Sequence, residues 1–428
     1  MSTIAAPAAA VRSRDASRVE LIAVFSSLGL MALHVIDDSF LQPEPGTSAG
    51  DHLVSGLVPI AAILVAAIAY PRLRAGARAT LALFFGALGV AFGAGEAVYY
   101  TLNASPSGDD FTGFLALAAG LCLIGVGAVV LWRSRRRDDG LLWRYTRRLL
   151  LVFAALLILV NVVLPLTLTY GFTHSARVET TSADLGAPYE NVAFTTSDDL
   201  RLDGWYVPSK NGASIVVFPG RKGTQRHARM LVKHGYGVLV FDRRGEGTSE
   251  GDPNAFGWAF NRDLKAAAAF LETRPDVEGG KIGGIGLSVG GEALLQASAE
   301  SRAYDAIVSD GAGSRSYRED MEEPGLSEWL ALPSTFMQTV GTALWANQAP
   351  PPSIKDLTPR ISPTPVFFIY AGHGAGGEDN NPQYYEVSGE PKQIWKIADA
   401  SHTHGLRQHP EEYERRVVAF FDNTLQPS

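Results

Sequence analysis

Five long apolar segments in the first 170 residues constrain this chain more than any other feature of its sequence. Each is long enough to cross the hydrocarbon core of a bilayer, which is about 30 Å thick. They lie at 19–38, 53–70, 79–100, 111–132 and 149–170. Backbone groups in lipid must find their hydrogen-bond partners within the segment, so helices are predicted. We therefore expect a membrane-spanning helical domain at 1–176 and a second domain at 177–428.

The distribution of arginine predicts how these helices are oriented. Arginines occur in the N-terminal tail, between the second and third segments, and between the fourth and fifth. The connections at 42–52 and 101–110 contain neither Lys nor Arg. Because basic residues concentrate in cytoplasmic loops, the N-terminus is predicted to be cytoplasmic. Five spans then place the second domain on the extracytoplasmic side of the plasma membrane.

Ionisable residues near the predicted outer face are candidates for function, because such groups are rare at membrane depth. They are His34, Asp37, Asp38, His52 and Glu96. The i, i+4 spacing of His34 and Asp38 would suit two metal ligands on one helix face. We favour the simpler interpretation, interfacial residues that contact water and one another, and assign no metal.

The second domain alternates short apolar strands with helices, which is typical of a mostly parallel α/β sheet. Residues 314–362 interrupt the alternation and are predicted to form a small helical cap over the carboxyl ends of the strands. The eight predicted strands, of which the first two are expected to be antiparallel, lie near 191–196, 200–207, 214–218, 237–241, 281–286, 305–309, 365–370 and 393–397.

Charge and cysteine content exclude several classes of function. From residue 177 onwards there are 24 basic and 33 acidic residues with no basic face, which argues against nucleic acid as a partner. Cys122, the only cysteine, lies in an apolar segment, so the chain has no internal disulfide or thiolate metal cluster.

The pattern G-x-S-x-G, which marks a strand-turn-helix that exposes a nucleophilic serine, occurs three times. Its serines are Ser48, Ser249 and Ser288. Ser48 lies in a loop between membrane segments, and Ser249 lies in a polar turn. Only Ser288 directly follows a short buried strand and begins a helix of small residues. Ser288 is therefore the predicted nucleophile.

A serine nucleophile needs a base, and on this type of sheet the chain order is serine, acid, histidine. Four histidines follow Ser288, namely His373, His402, His404 and His409. His402 falls between the last predicted strand and the final helix, where the base is expected. His404 is the alternative, and His373 is interpreted as a supporting residue.

Three carboxylates compete for the role of the acid that orients the base. Glu378 and Asp379 follow the strand at 365–370, and Asp310 ends the preceding strand. We favour Glu378 because of its spacing from Pro382. The two oxyanion donors are predicted to be the backbone N–H groups of Val289 and Arg221.

Residues 187–425 resemble the α/β-hydrolase superfamily, including its bacterial dienelactone-hydrolase-like and acyl-peptidase-like branches. The segments that carry the resemblance are 216–220, 235–252, 274–292 and 400–406. It implies the same nucleophile, base and oxyanion donors. The chain departs from the family pattern in two places. Pro219-Gly220 replaces the usual His-Gly, and the loop that carries the acid is stretched by extra glycines.

Together these features predict a membrane-anchored serine hydrolase that cleaves an ester, thioester or amide through an acyl-enzyme. A carboxylic ester is favoured over a peptide. The expected partners are a small-molecule or lipid-like acyl substrate and the lipid bilayer, with no cofactor; the oligomeric state stays open. One alternative is a membrane sensor or transporter whose outer domain is a binding module, and another is an acyltransferase.

Overall fold

The structure is a computed structural model that describes residues 16–43, 49–50, 52–103, 111–134, 141–173, 179–180, 182–221, 223–252, 257–322, 325–374 and 376–426. The chain divides into two compact units, one ending at Thr167 and the other beginning at Leu168.

Long apolar helices form the first unit. They are α1 (Arg18–Ile36), α2 (Leu53–Ala69), α3 (Ala75–Asn103), α4 (Gly113–Arg133) and α5 (Leu141–Ile158). Helix α1 continues into a π-helical turn at Asp37–Leu41, and α2 continues into a 3-10 turn at Tyr70–Arg72. Helix α5 continues through a π-helical turn at Leu159–Val163 into α6 (Leu164–Thr173). The five predicted segments are confirmed as helices long and apolar enough to cross a membrane, the last being Leu149–Thr173.

Glycines allow close packing within the first unit. A Cβ atom added to Gly93 of α3 would lie 2.4 Å from the backbone nitrogen of Leu117 in α4. A Cβ on Gly120 of α4 would lie 2.5 Å from the backbone nitrogen of Val90. Small residues let helix backbones approach closely, which is a common way to pack helices in lipid.

An eight-stranded sheet forms the centre of the second unit, with the strand order β1-β2-β4-β3-β5-β6-β7-β8. Strand β2 is antiparallel to β1 and β4, and the other neighbours are parallel. The predicted fold class and the antiparallel first pair are confirmed. The strands are β1 (Glu190–Thr195), β2 (Arg201–Val207), β3 (Ser214–Phe218), β4 (Gly237–Phe241), β5 (Ile282–Leu287), β6 (Ala306–Asp310), β7 (Val366–His373) and β8 (Lys392–Ser401).

Helices cover both faces of the sheet, which explains why its central strands are apolar throughout. Alternate side chains serve opposite faces, so neighbouring Val216 and Val217 belong to different cores. The core containing Val217 includes residues of α7 (Gln225–Lys233) and α15 (Pro410–Leu425). The core containing Val216 includes residues of α8 (Phe260–Glu272) and α9 (Val289–Ser301).

The cap lies between β6 and β7 and is helical, as predicted. It begins beyond Asp310, at the carboxyl end of β6, the edge of the sheet where ligands of such folds bind. Its helices are α10 (Tyr317–Asp320), α11 (Leu326–Trp345) and α12 (Ile354–Leu357), followed by a 3-10 turn at Thr358–Arg360. After β7 come a 3-10 turn at Glu378–Asn380 and α13 (Asn381–Val387), and after β8 comes α14 (Gly405–Gln408).

Candidate active site

Ser288 occupies the sharp turn between β5 and α9, at the carboxyl edge of the sheet. Its backbone has φ 53° and ψ −124°, a conformation that non-glycine residues rarely adopt. The turn is tight enough that a Cβ atom on Gly286 would lie 2.3 Å from the carbonyl oxygen of Gly290. The glycine at 286 is therefore needed to bring the strand and helix this close, and the strained backbone at 288 is typical of a functional site.

The other two serines of the same pattern have different surroundings. Ser249 is buried, donates to the carbonyl oxygen of Asp242 at 2.7 Å and accepts from the N–H of Asp203 at 3.0 Å. These bonds hold a turn together and leave no role for Ser249 as a nucleophile. Ser48 lies outside the described residues.

His402 lies next to Ser288, with its Nε2 atom 2.9 Å from the serine Oγ. His402 lies between the end of β8 and the start of α14, whereas Ser288 follows β5. The turns after two different strands therefore bring the base and the nucleophile together. The other downstream histidines lie elsewhere. His373 and His404 are exposed, and His409 contacts Asp399 at 2.8 Å.

Glu378 is the carboxylate that contacts His402, with its Oε1 atom 3.3 Å from Nδ1 of the ring. Asp379 is exposed, and Asp310 accepts a hydrogen bond from the Tyr413 hydroxyl at 2.6 Å. Of the three carboxylates considered from the sequence, the geometry brings only Glu378 into contact with the ring. The distance is that of an ion pair, longer than a strong hydrogen bond, and such contacts often tighten when substrate binds.

The electrostatic consequence of this contact falls on His402. Glu378 is almost fully buried, at 1% exposure, and within the described residues neither of its carboxylate oxygens has a hydrogen-bond partner. Its contact with the ring is the largest cause of a raised pKa of His402, opposed by the partial burial of the imidazole. Glu378 therefore stabilises the protonated form of the base.

Gly311, just after β6, makes room for this pair and was not recognised from the sequence. Its φ is +76°, and a Cβ atom there would lie 2.6 Å from Oε1 of Glu378 and 3.3 Å from Cε1 of His402. The sequence signal was a glycine directly after a predicted strand, which is too common to single out a site residue.

The two predicted oxyanion donors differ in their surroundings. Val289 begins α9, so its N–H has no intrahelical partner, and it lies beside Ser288 on the cavity wall. Arg221 does not line that cavity. Its N–H donates to Oδ1 of Asp242 at 3.4 Å, and its guanidinium pairs with the same carboxylate. In this geometry only the Val289 N–H is beside the nucleophile.

A cavity of about 490 Å³ opens over Ser288 and His402. Its wall combines polar and apolar groups. Its apolar members include Val289, Trp258 and Phe172. Phe172 lies in the last turn of α6, and the residues of α6 from Leu168 onwards belong to the second unit. The polar members include Glu292, Arg315, Ser316, Asp320, Thr335, Gln338, Thr339 and Thr342.

Glu292 is a partly buried carboxylate in this wall that the sequence reasoning missed. It lies on α9 one turn after Ser288, and it accepts from the Gly313 N–H at 3.3 Å. Burial raises the pKa of Glu292 to about 7, against the opposing effect of nearby Arg315. The Arg315 guanidinium is itself held by Gln296, at 2.6 Å, and by the carbonyl oxygen of Pro352. The i, i+4 spacing of Ser288 and Glu292 was the available signal.

Polar residues of the first unit form contacts of their own. His34 contacts Glu96 at 3.3 Å through Nε2 and the Thr112 hydroxyl at 2.9 Å through Nδ1. His52 is buried in the same unit. Among the residues that the structure describes, no group of three or more His, Cys, Asp or Glu side chains is arranged to hold a metal ion.

Comparisons with known proteins concern the second unit. A family model for the X-Pro dipeptidyl-peptidases of the S15 family matches residues 177–367. The YfhR protein of Escherichia coli (strain K12) is 28% identical over 262 residues, which cover 56% of this chain and 82% of that protein. A polyketide transferase of a Penicillium species, grgF, is 31% identical over 130 residues, or 28% of this chain and 44% of that protein.

Among solved structures, an esterase of Pyrococcus furiosus is 24% identical and has a TM-score of 0.49, covering 58% of this chain and 97% of its own. The assignment of the second unit depends instead on the strand order, the turn at Ser288 and the family match, all of which concern the same residues. Those findings support a hydrolase. The second unit therefore has the α/β-hydrolase fold.

Proposed function

We propose that this protein is a membrane-anchored serine hydrolase that cleaves a carboxylic ester through an acyl-enzyme, with Ser288, His402 and Glu378 as its catalytic triad. The observation that carries the proposal is the 2.9 Å contact between Ser288 Oγ and His402 Nε2 at the base of the cavity. A nucleophile and a base within hydrogen-bond reach, with the base oriented by a third group, are the recurrent arrangement for covalent acyl transfer.

In the first half of the reaction His402 accepts the Ser288 proton while Oγ attacks the ester carbonyl. Glu378 stabilises the resulting imidazolium, because its buried carboxylate contacts Nδ1. The tetrahedral oxyanion accepts a hydrogen bond from the Val289 N–H, whose position at the start of α9 adds the favourable end of the helix dipole. His402 then donates its proton to the leaving alcohol.

In the second half a water molecule takes the place of the alcohol and His402 removes one of its protons. The hydroxide equivalent attacks the acyl-enzyme, and collapse of the second tetrahedral intermediate releases the acid and restores the Ser288 hydroxyl. Arg221 is the proposed second oxyanion donor by its place in the loop after β3. That role requires the Arg221 N–H to give up its hydrogen bond to Asp242. At 3.4 Å this hydrogen bond is weak.

The location of the domain is part of the proposal. The alternation of arginine-rich and arginine-free connections supports a cytoplasmic N-terminus and an extracytoplasmic hydrolase domain. A substrate at the outer surface of the plasma membrane follows from that arrangement.

The test is covalent labelling of the full-length protein with a fluorophosphonate probe, together with hydrolysis of p-nitrophenyl esters and of an X-Pro p-nitroanilide. Ser288→Ala and His402→Ala are expected to abolish turnover, and Ser288→Ala to abolish labelling, with the fold retained. Ser48→Ala is the matched control, because it removes a serine from the same sequence pattern. Labelling that persists without Ser288 would refute the nucleophile, and turnover of the anilide alone would replace the ester by a peptide.

A further inference from the structure

Helix α11 of the cap places its polar side chains over the active site. Four residues of the cavity wall, Thr335, Gln338, Thr339 and Thr342, belong to this helix. Their spacing is i, i+3, i+4, i+7, so they form one stripe along a helix face. Each of the four side chains that α11 turns toward the candidate active site therefore carries a hydroxyl or an amide group.

The opposite face of α11 is apolar and exposed. Leu326, Trp329 and Leu330 are 73%, 66% and 61% exposed. Leu326 precedes Thr335 by nine residues, which is two and a half helical turns, so the two stripes lie on opposite faces. Within the 20 residues of α11 the only ionisable one is Glu328.

This arrangement is the reverse of the one expected for a cap surrounded by water. A water-exposed amphipathic helix turns its apolar stripe inward and its polar residues outward. A helix whose apolar stripe points away from its own domain, with one charge in 20 residues, needs an apolar neighbour outside the domain. The described residues of the second unit leave this stripe uncovered.

The neighbour that fits is the lipid bilayer, because α11 lies beside the end of the fifth predicted span. Tyr170 and Trp345 make an edge-to-face ring contact with centroids 5.7 Å apart. Thr169 and Phe172, from the last turns of the same span, line the cavity together with α11. A span ends at the membrane surface, so a helix packed against its last turns lies at that surface too.

Exposed apolar residues also continue from the cap onto the span. Phe172 is 60% exposed and Leu168 44% exposed, both within the second unit. Tryptophan, here Trp329, is typical of the level of the lipid headgroups.

We propose that α11 is an interfacial membrane helix, with its apolar stripe in the outer leaflet and its polar stripe over the catalytic cavity. The active site then opens at the bilayer surface. This deepens the proposed function and depends on its membrane spans: the substrate is a membrane amphiphile whose polar part, with the ester, enters the hydroxyl-lined cavity while its apolar part stays in the leaflet.

Depth measurement tests the placement without relying on catalysis. In a Cys122→Ser background, Leu330→Cys and Glu278→Cys variants of the full chain carry an environment-sensitive fluorophore and are reconstituted into phosphatidylcholine and phosphatidylglycerol vesicles. Glu278 precedes β5, at the sheet edge away from the cap, and is the matched control. Nitroxide-labelled lipids are expected to quench the label at position 330 strongly and the label at 278 weakly.

Equal weak quenching at both positions would overturn the proposal. A second result would also overturn it. If the label at position 330 is shielded from water but not quenched by the labelled lipids, and the particle mass is doubled, a second copy of the chain covers the stripe.

Activity separates this proposal from the catalytic one. Trp329→Glu with Leu330→Glu is expected to lower hydrolysis of a vesicle-embedded ester by roughly tenfold, because charges disfavour an interfacial helix. Hydrolysis of a water-soluble ester should be unchanged, since neither side chain lines the cavity. Equal loss on both substrates would contradict a membrane role. If the unmutated protein shows no Ser288-dependent activity on either ester, the proposed function is refuted. The quenching result alone would then decide whether α11 lies in the membrane surface.

Discussion

Glu378 is deeply buried and contacts the ring of His402, and together these two properties determine how strongly it stabilises the protonated ring. A carboxylate at 1% exposure has lost most of its hydration, and removal of one partner from a buried charge pair typically costs about 3–5 kcal/mol. The benefit of the Glu378–His402 contact therefore grows as the ring becomes protonated, which is the state that follows proton transfer from Ser288.

Replacing Glu378 by Gln is expected to lower kcat by roughly 10²–10⁴-fold, since the imidazolium loses its stabilising charge. The neighbouring Asp379→Asn is the matched control and should leave kcat within about twofold, because the exposed Asp379 side chain is solvated. Steady-state ester hydrolysis measures both. A larger loss in Asp379→Asn than in Glu378→Gln would assign the acid to Asp379.

The same substitution predicts a change in pH dependence. His402 acts as a base only when neutral, and Glu378 raises the pKa of His402. Activity should therefore fall as the pH drops through that raised pKa, and removing the carboxylate should move the acid limb of kcat/KM to lower pH. A limb that stays in place in Glu378→Gln would show that another group controls it, with Asp310 and Glu292 as the nearby carboxylates.

Glu292 carries a prediction about stability. Its pKa is raised from 4.5 to about 7 by burial, so the folded protein holds this proton more tightly than the unfolded chain. The resulting stabilisation is complete below about pH 4.5 and is lost as the pH rises through 7, by at most roughly 3 kcal/mol. Glu292→Gln should therefore raise the Tm of the solubilised protein at pH 8 and change it little at pH 5.

Glu272→Gln, at the exposed end of α8, is the control for Glu292 and should leave Tm nearly unchanged at both pH values. A lower Tm of Glu292→Gln at pH 8 would contradict this prediction. It would mean that attraction between the ionised carboxylate and Arg315 stabilises the fold by more than burial of the charge destabilises it.

At the scale of elements, the site is assembled where three strands end. The turn after β5 carries Ser288, the loop after β8 carries His402, and the turn after β7 carries Glu378. The turn after β6 contributes no reacting group, only the space at Gly311 into which Glu378 and His402 fit. A side chain at Gly311 would displace the carboxylate from the ring.

Gly311→Ala is expected to reduce kcat by at least roughly tenfold, with a loss of stability of about 1–2 kcal/mol from the backbone conformation and crowding. Gly280→Ala is a closely matched control. Gly280 has φ +78° against +76° at Gly311, but a Cβ atom there would meet nothing within 4 Å. The control should share the backbone cost and keep full kcat. Equal kcat in the two variants would show that Gly311 has no part in positioning Glu378.

The elements could be predicted from the sequence because their signals are local. Strand β5 and the start of α9 are encoded by a short apolar run and by glycines two residues either side of Ser288. The preference for His402 followed from its place after the last predicted strand, and the preference for Glu378 from its spacing to Pro382. Gly311, Glu292 and the direction in which α11 turns its threonines depend on contacts between distant segments, for which a single sequence has no local signal. Arg221 could be placed in the right loop, but the partner of its N–H could not.

At the scale of the whole molecule, hydrophobic surface is distributed in two different ways. In the first unit large apolar side chains are exposed along the helices, such as Leu64 at 55% and Leu121 at 57%. In the second unit most of them are buried in two cores on the faces of the sheet, and the exceptions include α11 and the end of α6. Lipid is the solvent that makes the first distribution stable.

Orientation is the property of the whole chain that the arginines predict and that thiol labelling can measure. In a Cys122→Ser background, Glu278→Cys reports on the hydrolase domain and Ser134→Cys on the arginine-rich connection after α4. Both native side chains are exposed. A membrane-impermeant maleimide is expected to modify the Glu278→Cys variant in intact cells and the Ser134→Cys variant only after permeabilisation.

The reciprocal design separates the possible topologies. The opposite pattern would place the hydrolase domain in the cytoplasm and refute the orientation, while fluorophosphonate labelling of Ser288 would be unaffected. A third variant, Ser17→Cys at the start of α1, tests whether the first helix spans, since it carries His34 and is followed by Asp37 and Asp38. Modification of Ser17→Cys from outside would reduce the spans to four and leave the hydrolase domain extracytoplasmic, because the arginines of the later connections fix the helices that follow.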